Sequence, residues 1–322
     1  MNGIDFAGRV AIVTGAGGGL GRDYALGLAA RGAAVVVNNI GETPDGLGGG
    51  SASAEAVVAE IRAAGGQAVE HIGSVADPGA GEALVALALE RFGRLDILIN
   101  NAGNQRNNRF ELMSEAEFDD VMAVHLKGAF HVSQPAYRVM LEQGYGRLLF
   151  TSSASGLFGN YIRANYAAAK AGAVGLMRAI AIEGAGRGVL ANAILPVAAS
   201  RLGRAPVDAM LPEWEGDDPR NLSGMELIGP AMTTPYVTPL ALYLCSEQCR
   251  ASHQLWSAVA GRYARVFIGA TRGWLAPAGA PPSVEDIAAH LGEIVDSEGF
   301  DEPMSVTQEL AAVIAAYRAR QV

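Results

Sequence analysis

Three side chains near the middle of the sequence have the types and spacing for acid–base chemistry on an alcohol. Tyr166 and Lys170 stand four residues apart in "NYAAAKAG", and Ser153 ends the run "FTSS" thirteen residues before the tyrosine. Residues i and i+4 share one helix face, so a phenol and an ammonium there can point into one cleft. A phenol titrates near pH 10 and is a poor base at neutral pH; a neighbouring ammonium favours the phenolate and lowers that value. Taking a proton from a carbinol, or giving one to a ketone, needs that tuning. Ser153 can hydrogen-bond the same substrate oxygen. A Y-x-x-x-K spacing by itself is common by chance, so its weight comes from the elements that place it.

The first of those elements is "TGAGGGLGRDYALG", where Gly15, Gly19 and Gly21 follow an apolar run and open a helix-forming stretch. A tight turn there wants backbone without a Cβ, and a pyrophosphate wants bare N–H groups at the positive end of a helix dipole. Gly15, Gly19, Leu20 and Gly21 are therefore expected to hold a dinucleotide. Asn101, Ala102 and Gly103 follow the fourth apolar run and are expected to face the same crevice. At the end of the second run a carboxylate would bond both ribose hydroxyls and repel a 2′-phosphate. This chain has Asn38 and Asn39 there, with Arg22 as the nearest cation, so NAD is expected and NADP less so. Asn39 also reads as a turn former that needs no cofactor. Ser74 and Val75, beyond the third run, join the expected cofactor contacts.

Short apolar runs recur at residues 9–13, 33–38, 67–72, 95–99, 147–151 and 190–195, mostly without alternation. That is how strands buried on both faces read. Between them, residues 20–30, 52–64, 79–91, 115–141 and 165–183 carry helical periodicity. The alternation predicts an α/β fold with a doubly wound parallel sheet in strand order 3-2-1-4-5-6-7. The nucleotide-binding and catalytic domain is expected over residues 1–245, with 246–322 as a C-terminal strand and helical extension packed on it. Residues 254–261 read as a seventh strand, Ser283 as a helix cap, and 284–295 and 306–318 as helices. The insert "GETPDGLGGG" at 41–50 reads either as a loop over the cofactor site or as a passive one.

The chain has 322 residues, half of them apolar and 18% charged, enough for a sizeable core. A net charge of −9 with no basic block argues against nucleic acid. No apolar run reaches the length of a membrane span. Cys245 and Cys249 lack metal or redox spacing and read as two small apolar residues, so no metal is expected. Two cysteines, and a start without a leader pattern, fit a cytoplasmic protein.

Together, Thr14-Gly15…Gly19-Leu20-Gly21, Asn100-Asn101-Ala102-Gly103, Ser153 and Tyr166…Lys170 resemble the short-chain dehydrogenase/reductase superfamily over about residues 1–245, which implies a Rossmann fold. "VVVNNIG", "VHLKGAF", "TSSASGLFGN", "ANYAAAKAG" and "AIEGAGRG" are similar to the (3R)-hydroxyacyl-CoA dehydrogenase region of peroxisomal multifunctional enzyme type 2 and its stand-alone bacterial relatives. The resemblance implies a homodimer, an acyl-CoA substrate and NAD, with steroid side-chain thioesters a known substrate type among bacterial relatives. It implies that Lys170 holds the nicotinamide ribose, and that Pro196 and Val197 approach the nicotinamide, although Val197 replaces the usual glycine. His125 stands where the superfamily carries a catalytic asparagine; it either holds a relay water, by ring or backbone, or is a histidine satisfied within its helix. Asn39 stands where the subgroup has aspartate. Residues 199–235 should form the substrate loop, with Met210, Leu211, Trp214, Met225, Leu227 and Met232 as an apolar lid or as ordinary packing. Arg201, Arg204 and Arg220 on it suit CoA phosphates or an acyl-carrier protein. Two other readings stay open: oxidation or reduction of another alcohol or ketone (a carrier-protein thioester, a free steroid or a sugar), and a non-catalytic nucleotide-binding scaffold.

Overall fold

Strands β1 (Val10–Val13) and β4 (Ile97–Asn100) have four residues each, and every one is buried. Such strands must lie at the centre of a sheet covered on both faces. The computed structural model describes residues 3–40, 51–198, 223, 225–277 and 281–319. In it β1 pairs in parallel with β2 (Ala34–Asn39) on one side and with β4 on the other. β3 (Gln67–Ile72), β5 (Gly146–Thr151), β6 (Val189–Val197), β7 (Leu255–Val259) and β8 (Arg262–Val266) complete an eight-stranded sheet in the order 3-2-1-4-5-6-7-8. This is the expected doubly wound sheet with one more edge strand. A tight turn with positive φ at Ala260 and Gly261 joins β7 to β8, a backbone form that suits a two-residue hairpin.

Helices α1 (Gly19–Ala29), α2 (Ser51–Ala63), α3 (Ala80–Phe92), α4 (Glu115–Met122), α5 (Gly128–Gln143), α6 (Ser155–Phe158), α7 (Ala164–Glu183), α8 (Met225–Ile228) and α9 (Thr238–Cys245) accompany the strands. The core beneath α1 and α9 includes Tyr24, Leu28, Val35, Ile99 and Leu242. Each such side chain contributes about 1.5–3 kcal/mol by leaving water. At the N-terminal end of the central strands, buried Asp96 accepts from Arg9 (2.9 Å), Arg94 (2.7 Å) and the Val10 amide (2.9 Å), which locks β1 to β4.

One expected helix is interrupted. Residues 115–141 were predicted as a single helix, but α4 and α5 are separated by a π-helical turn, Ala123–Lys127. α4 packs on α7 and α5 packs on α3, and the wider turn lets both contacts form along one rod. Ser114 and Glu117 close a capping box at the start of α4.

The chain divides into two compact units, Met1–Arg265 and Val266–Val322. The second holds an antiparallel pair, β9 (Ala270–Thr271) with β10 (Phe300–Asp301), and helices α10 (Val284–Ala289), α11 (Leu291–Ile294) and α12 (Val306–Ala319). Ser283 caps α10 as expected, in a box with Asp286. None of its described residues is buried. The insert 41–50, and Met210, Leu211, Trp214, Arg201, Arg204 and Arg220, lie outside the described residues.

Candidate active site

The sheet order reverses between β1 and β4, so the crevice beyond Val13 and Asn100 is where a ligand of such a fold binds. The Thr14 hydroxyl accepts from the amides of Asn101 (2.9 Å) and Ala102 (3.1 Å), and Asn101 Nδ2 donates to the carbonyls of Thr14 (3.0 Å) and Gly15 (3.2 Å). These bonds clamp the two predicted turns together. Gly15 has φ +61, and a Cβ on it would lie 2.7 Å from Ala102 Cα. A Cβ on Gly21 would collide with the Gly15 carbonyl. Above Gly19 there is open space, and α1 has Gly18 as its N-cap, with no side-chain cap and no acidic residue in its first turn. A bare, uncapped helix start facing open space fits a pyrophosphate.

The two asparagines divide their work. Asn38 is buried and donates to the carbonyls of Gly73 (3.0 Å) and His71 (3.4 Å), tying β2 to the chain beyond β3. Asn39 donates to Ser53 Oγ on α2 at 2.7 Å, and both atoms occupy the space a Cβ on Gly17 would need. The Asn39 side chain therefore sits over the glycine turn. Ser74 Oγ accepts from the Ala76 amide (3.2 Å), Val75 is buried, and Pro196 and Val197 end β6 beside Ala258 and Val259. Arg22 is bound to Glu60 at 2.6 Å.

Ser153, Tyr166, Lys170 and His125 converge. The Lys170 ammonium lies 5.5 Å from the Tyr166 ring centre and donates to the Thr151 carbonyl at 2.5 Å. The His125 ring meets the Tyr166 ring edge-on, with centres 5.1 Å apart. His125, Lys170, Thr151, Thr14 and Asn100 line a pocket with room for one water, about 10 Å³. His125 belongs to the π turn, not to a regular helix. Its Nε2 lies 2.8 Å from the Asn104 carbonyl and 3.1 Å from the Asn104 amide, so this one backbone group can serve either tautomer of the ring. Nδ1 is buried and without a partner among the described residues. Burial, with the Lys170 charge, holds this imidazole well below its ordinary pKa, so it is neutral.

The electrostatics differ from the sequence expectation in one respect. Burial raises the Tyr166 pKa above its ordinary value; the Ser153 hydroxyl and the Arg163 charge act against that rise. Burial also lowers Lys170 to about 7. The lysine that was expected to depress the phenol is itself deprived of water and turned to Thr151, and Arg163 is a cation acting on the phenol. Arg163, Thr14 and the Asn104 carbonyl had been given no role. So had Asn165, whose Nδ2 holds the Arg106 carbonyl (2.8 Å) and the Glu117 carbonyl (3.0 Å) and so pins the start of α7 to the loop after β4. Nothing in their spacing distinguished them; each acts through a tertiary contact.

Among the described residues no group of three or more His, Cys, Asp and Glu side chains could hold a metal, and no helix is long and apolar enough to cross a membrane. The sequence profile of the family described as short chain dehydrogenase matches residues 9–202. The peroxisomal multifunctional enzyme type 2 of Mus musculus is 41% identical over 318 residues, which are 97% of this chain and 40% of that protein. A 3-oxoacyl-(acyl-carrier-protein) reductase of Staphylococcus aureus is 42% identical over 188 residues, 58% of this chain and 73% of that one. The crystal structure of a short chain dehydrogenase from Mycobacterium avium superposes with a TM-score of 0.73 at 38% identity, covering 91% of this chain and 98% of that one. This chain thus spans less than half the length of the mouse enzyme.

Proposed function

The chain belongs to the short-chain dehydrogenase family, and from that premise we propose that it oxidises the C3 hydroxyl of a 3-hydroxyacyl-CoA to a ketone, with NAD. The observation that carries the reading is the meeting of Ser153, Tyr166 and Lys170 beside a bare glycine cradle at the sheet's reversal point. Relatives support the acyl class: one is named for a 3-oxoacyl substrate, and the sequence resemblance adds CoA.

A bound nicotinamide nucleotide supplies the acceptor for the hydride that leaves C3. The rest falls to the chain. Gly15, Gly19 and Gly21, with Leu20, hold the pyrophosphate; Asn39 holds the adenosine ribose; Ser74 and Val75, Ala102 and Gly103, and Pro196 and Val197 flank the rings. Tyr166 Oη takes the carbinol proton as the hydride leaves. The Ser153 hydroxyl holds the same oxygen while it becomes a carbonyl. Lys170 binds the nicotinamide ribose and, once charged, favours the phenolate. His125 presents its unpartnered Nδ1 to a relay water beside Lys170.

Oxidation of a panel of 3-hydroxyacyl-CoAs, followed by NADH absorbance, tests the reading. Turnover of free sterols or sugars in preference to every thioester would overturn the substrate class. Tight NAD binding with no turnover of any alcohol would overturn the enzyme itself.

The NAD preference rests on Asn39, which is neutral. Asn39→Asp is expected to raise the ratio of kcat/KM for NAD over NADP about tenfold or more, because a carboxylate repels the 2′-phosphate. An unchanged ratio would remove Asn39 from the ribose site.

We place the protein in solution as a homodimer. The sequence resemblance is what supports the dimer, built partly on the helix that carries Tyr166 and Lys170. Sedimentation at twice the chain mass is expected at micromolar concentration; a monomer there contradicts this part.

A further inference from the structure

We infer that Thr151 is a positioning residue: its hydroxyl, with His125 Nδ1 and the Lys170 ammonium, holds the relay water in a small pocket behind Lys170. The inference deepens the proposed function, on which its kinetic half rests.

The pocket has room for one water, about 10 Å³, and is lined by the end of β5, the π turn, the start of α5 and α7. Its polar side chains are Thr14, Asn100, His125, Thr151 and Lys170. Two of them are already engaged. The Thr14 hydroxyl takes the amides of Asn101 and Ala102, and Asn100 Nδ2 donates to Ser133 Oγ at 2.9 Å. His125 Nδ1 and Thr151 Oγ1 are both buried and without a partner among the described residues. Lys170 Nζ donates to the Thr151 carbonyl at 2.5 Å, and an ammonium carries three donors. A buried water takes two to four such partners. Val75, Val124, Phe150 and Ala173 supply the apolar walls.

A buried hydroxyl without a partner costs its full desolvation. Valine has the outline of threonine and avoids that cost, so packing alone does not account for Thr151. The end of β5 also grips the lysine residue by residue: the Thr151 carbonyl takes the ammonium, and Ser152 Oγ donates to the Lys170 carbonyl at 3.0 Å. The His125 ring is held against Gly103, where a Cβ would lie 2.5 Å from its Cε1. Its Nε2 faces a backbone group that serves either tautomer, so Nδ1 can accept from a water or donate to one. An ammonium only donates. A hydroxyl does both, so Thr151 completes the water's set of bonds in either arrangement. Passing a proton reverses those bonds, and a methyl group in that place could follow neither form.

The test reads the water and the rate separately. In crystals of the full chain that diffract well enough to show waters, an ordered water should lie within hydrogen-bond distance of Thr151 Oγ1, His125 Nδ1 and Lys170 Nζ. It should be missing from Thr151→Val. That variant should lower kcat for 3-hydroxybutyryl-CoA about 5- to 30-fold, the effect of one lost hydrogen bond, with KM for NAD and for the thioester within about twofold. Thr151→Ser keeps the hydroxyl on a smaller side chain and should keep the water and about a third or more of kcat. A dry pocket in the intact protein, a water that survives in the valine variant, or equal losses of kcat in the valine and serine variants would overturn the role of Thr151 and leave the proposed function standing. A water in place, with no oxidation of any 3-hydroxyacyl-CoA by the intact protein, overturns the proposed function and supports the water site.

Discussion

Tyr166→Phe should lower kcat by about 100- to 10,000-fold while NAD affinity stays within about twofold, because it deletes a general acid–base group and little else. The phenylalanine ring keeps the edge-on packing against His125, at 5.1 Å between centres, so the cleft keeps its shape. What is lost is the hydroxyl that Ser153 approaches. Steady-state turnover with a thioester, beside cofactor titration by fluorescence, separates the two effects. Near-normal turnover in the phenylalanine variant would mean that some other group takes the proton.

Lys170→Met should cost about 100-fold or more in kcat and yet make the protein harder to unfold. Lys170 is 5% exposed, and burial lowers its pKa to about 7. Between about pH 7 and the ordinary lysine value near 10.5, the unfolded chain holds a proton that the folded protein does not. Stability therefore rises with pH across that window, and the penalty for burying the charge is complete below it. A methionine removes the penalty but strands the Thr151 carbonyl, which now accepts from Lys170. The net gain should be about 1–3 kcal/mol at pH 6 and smaller at pH 9. Thermal melts at both pH values read it. A variant less stable at pH 6, or a gain that grows with pH, contradicts the account. A lysine kept at such expense belongs to chemistry and not to folding.

The sheet order was readable because the central strands are buried on both faces, and a run such as "VAIV" has few other uses. The glycine turn and the Tyr166–Lys170 pair were readable because local geometry alone, a strand-to-helix turn or one helical turn, brings their atoms together. The electrostatic sense of the pair was not. It depends on how deeply Lys170 sinks and on Thr151, nineteen residues away, which no local spacing encodes. The break at Ala123–Lys127 was equally hidden, since apolar residues continue through it with nearly helical periodicity. The double asparagine looked like one ribose-binding feature; the Asn38 side chain turned out to hold β2 against the chain after β3, and of the two side chains only that of Asn39 reaches the glycine turn. Alternating strand faces explain the split, because adjacent residues point to opposite sides.

Removing a single residue from the wider turn at Ala123–Lys127 should restore a regular turn with both halves close to their present phases, whereas removing one from the regular turns of α4 or α5 would rotate everything beyond it by roughly 100°. A one-residue deletion should therefore disturb the packing of α4 and α5 less inside this segment than on either side of it, its cost falling on the placement of His125.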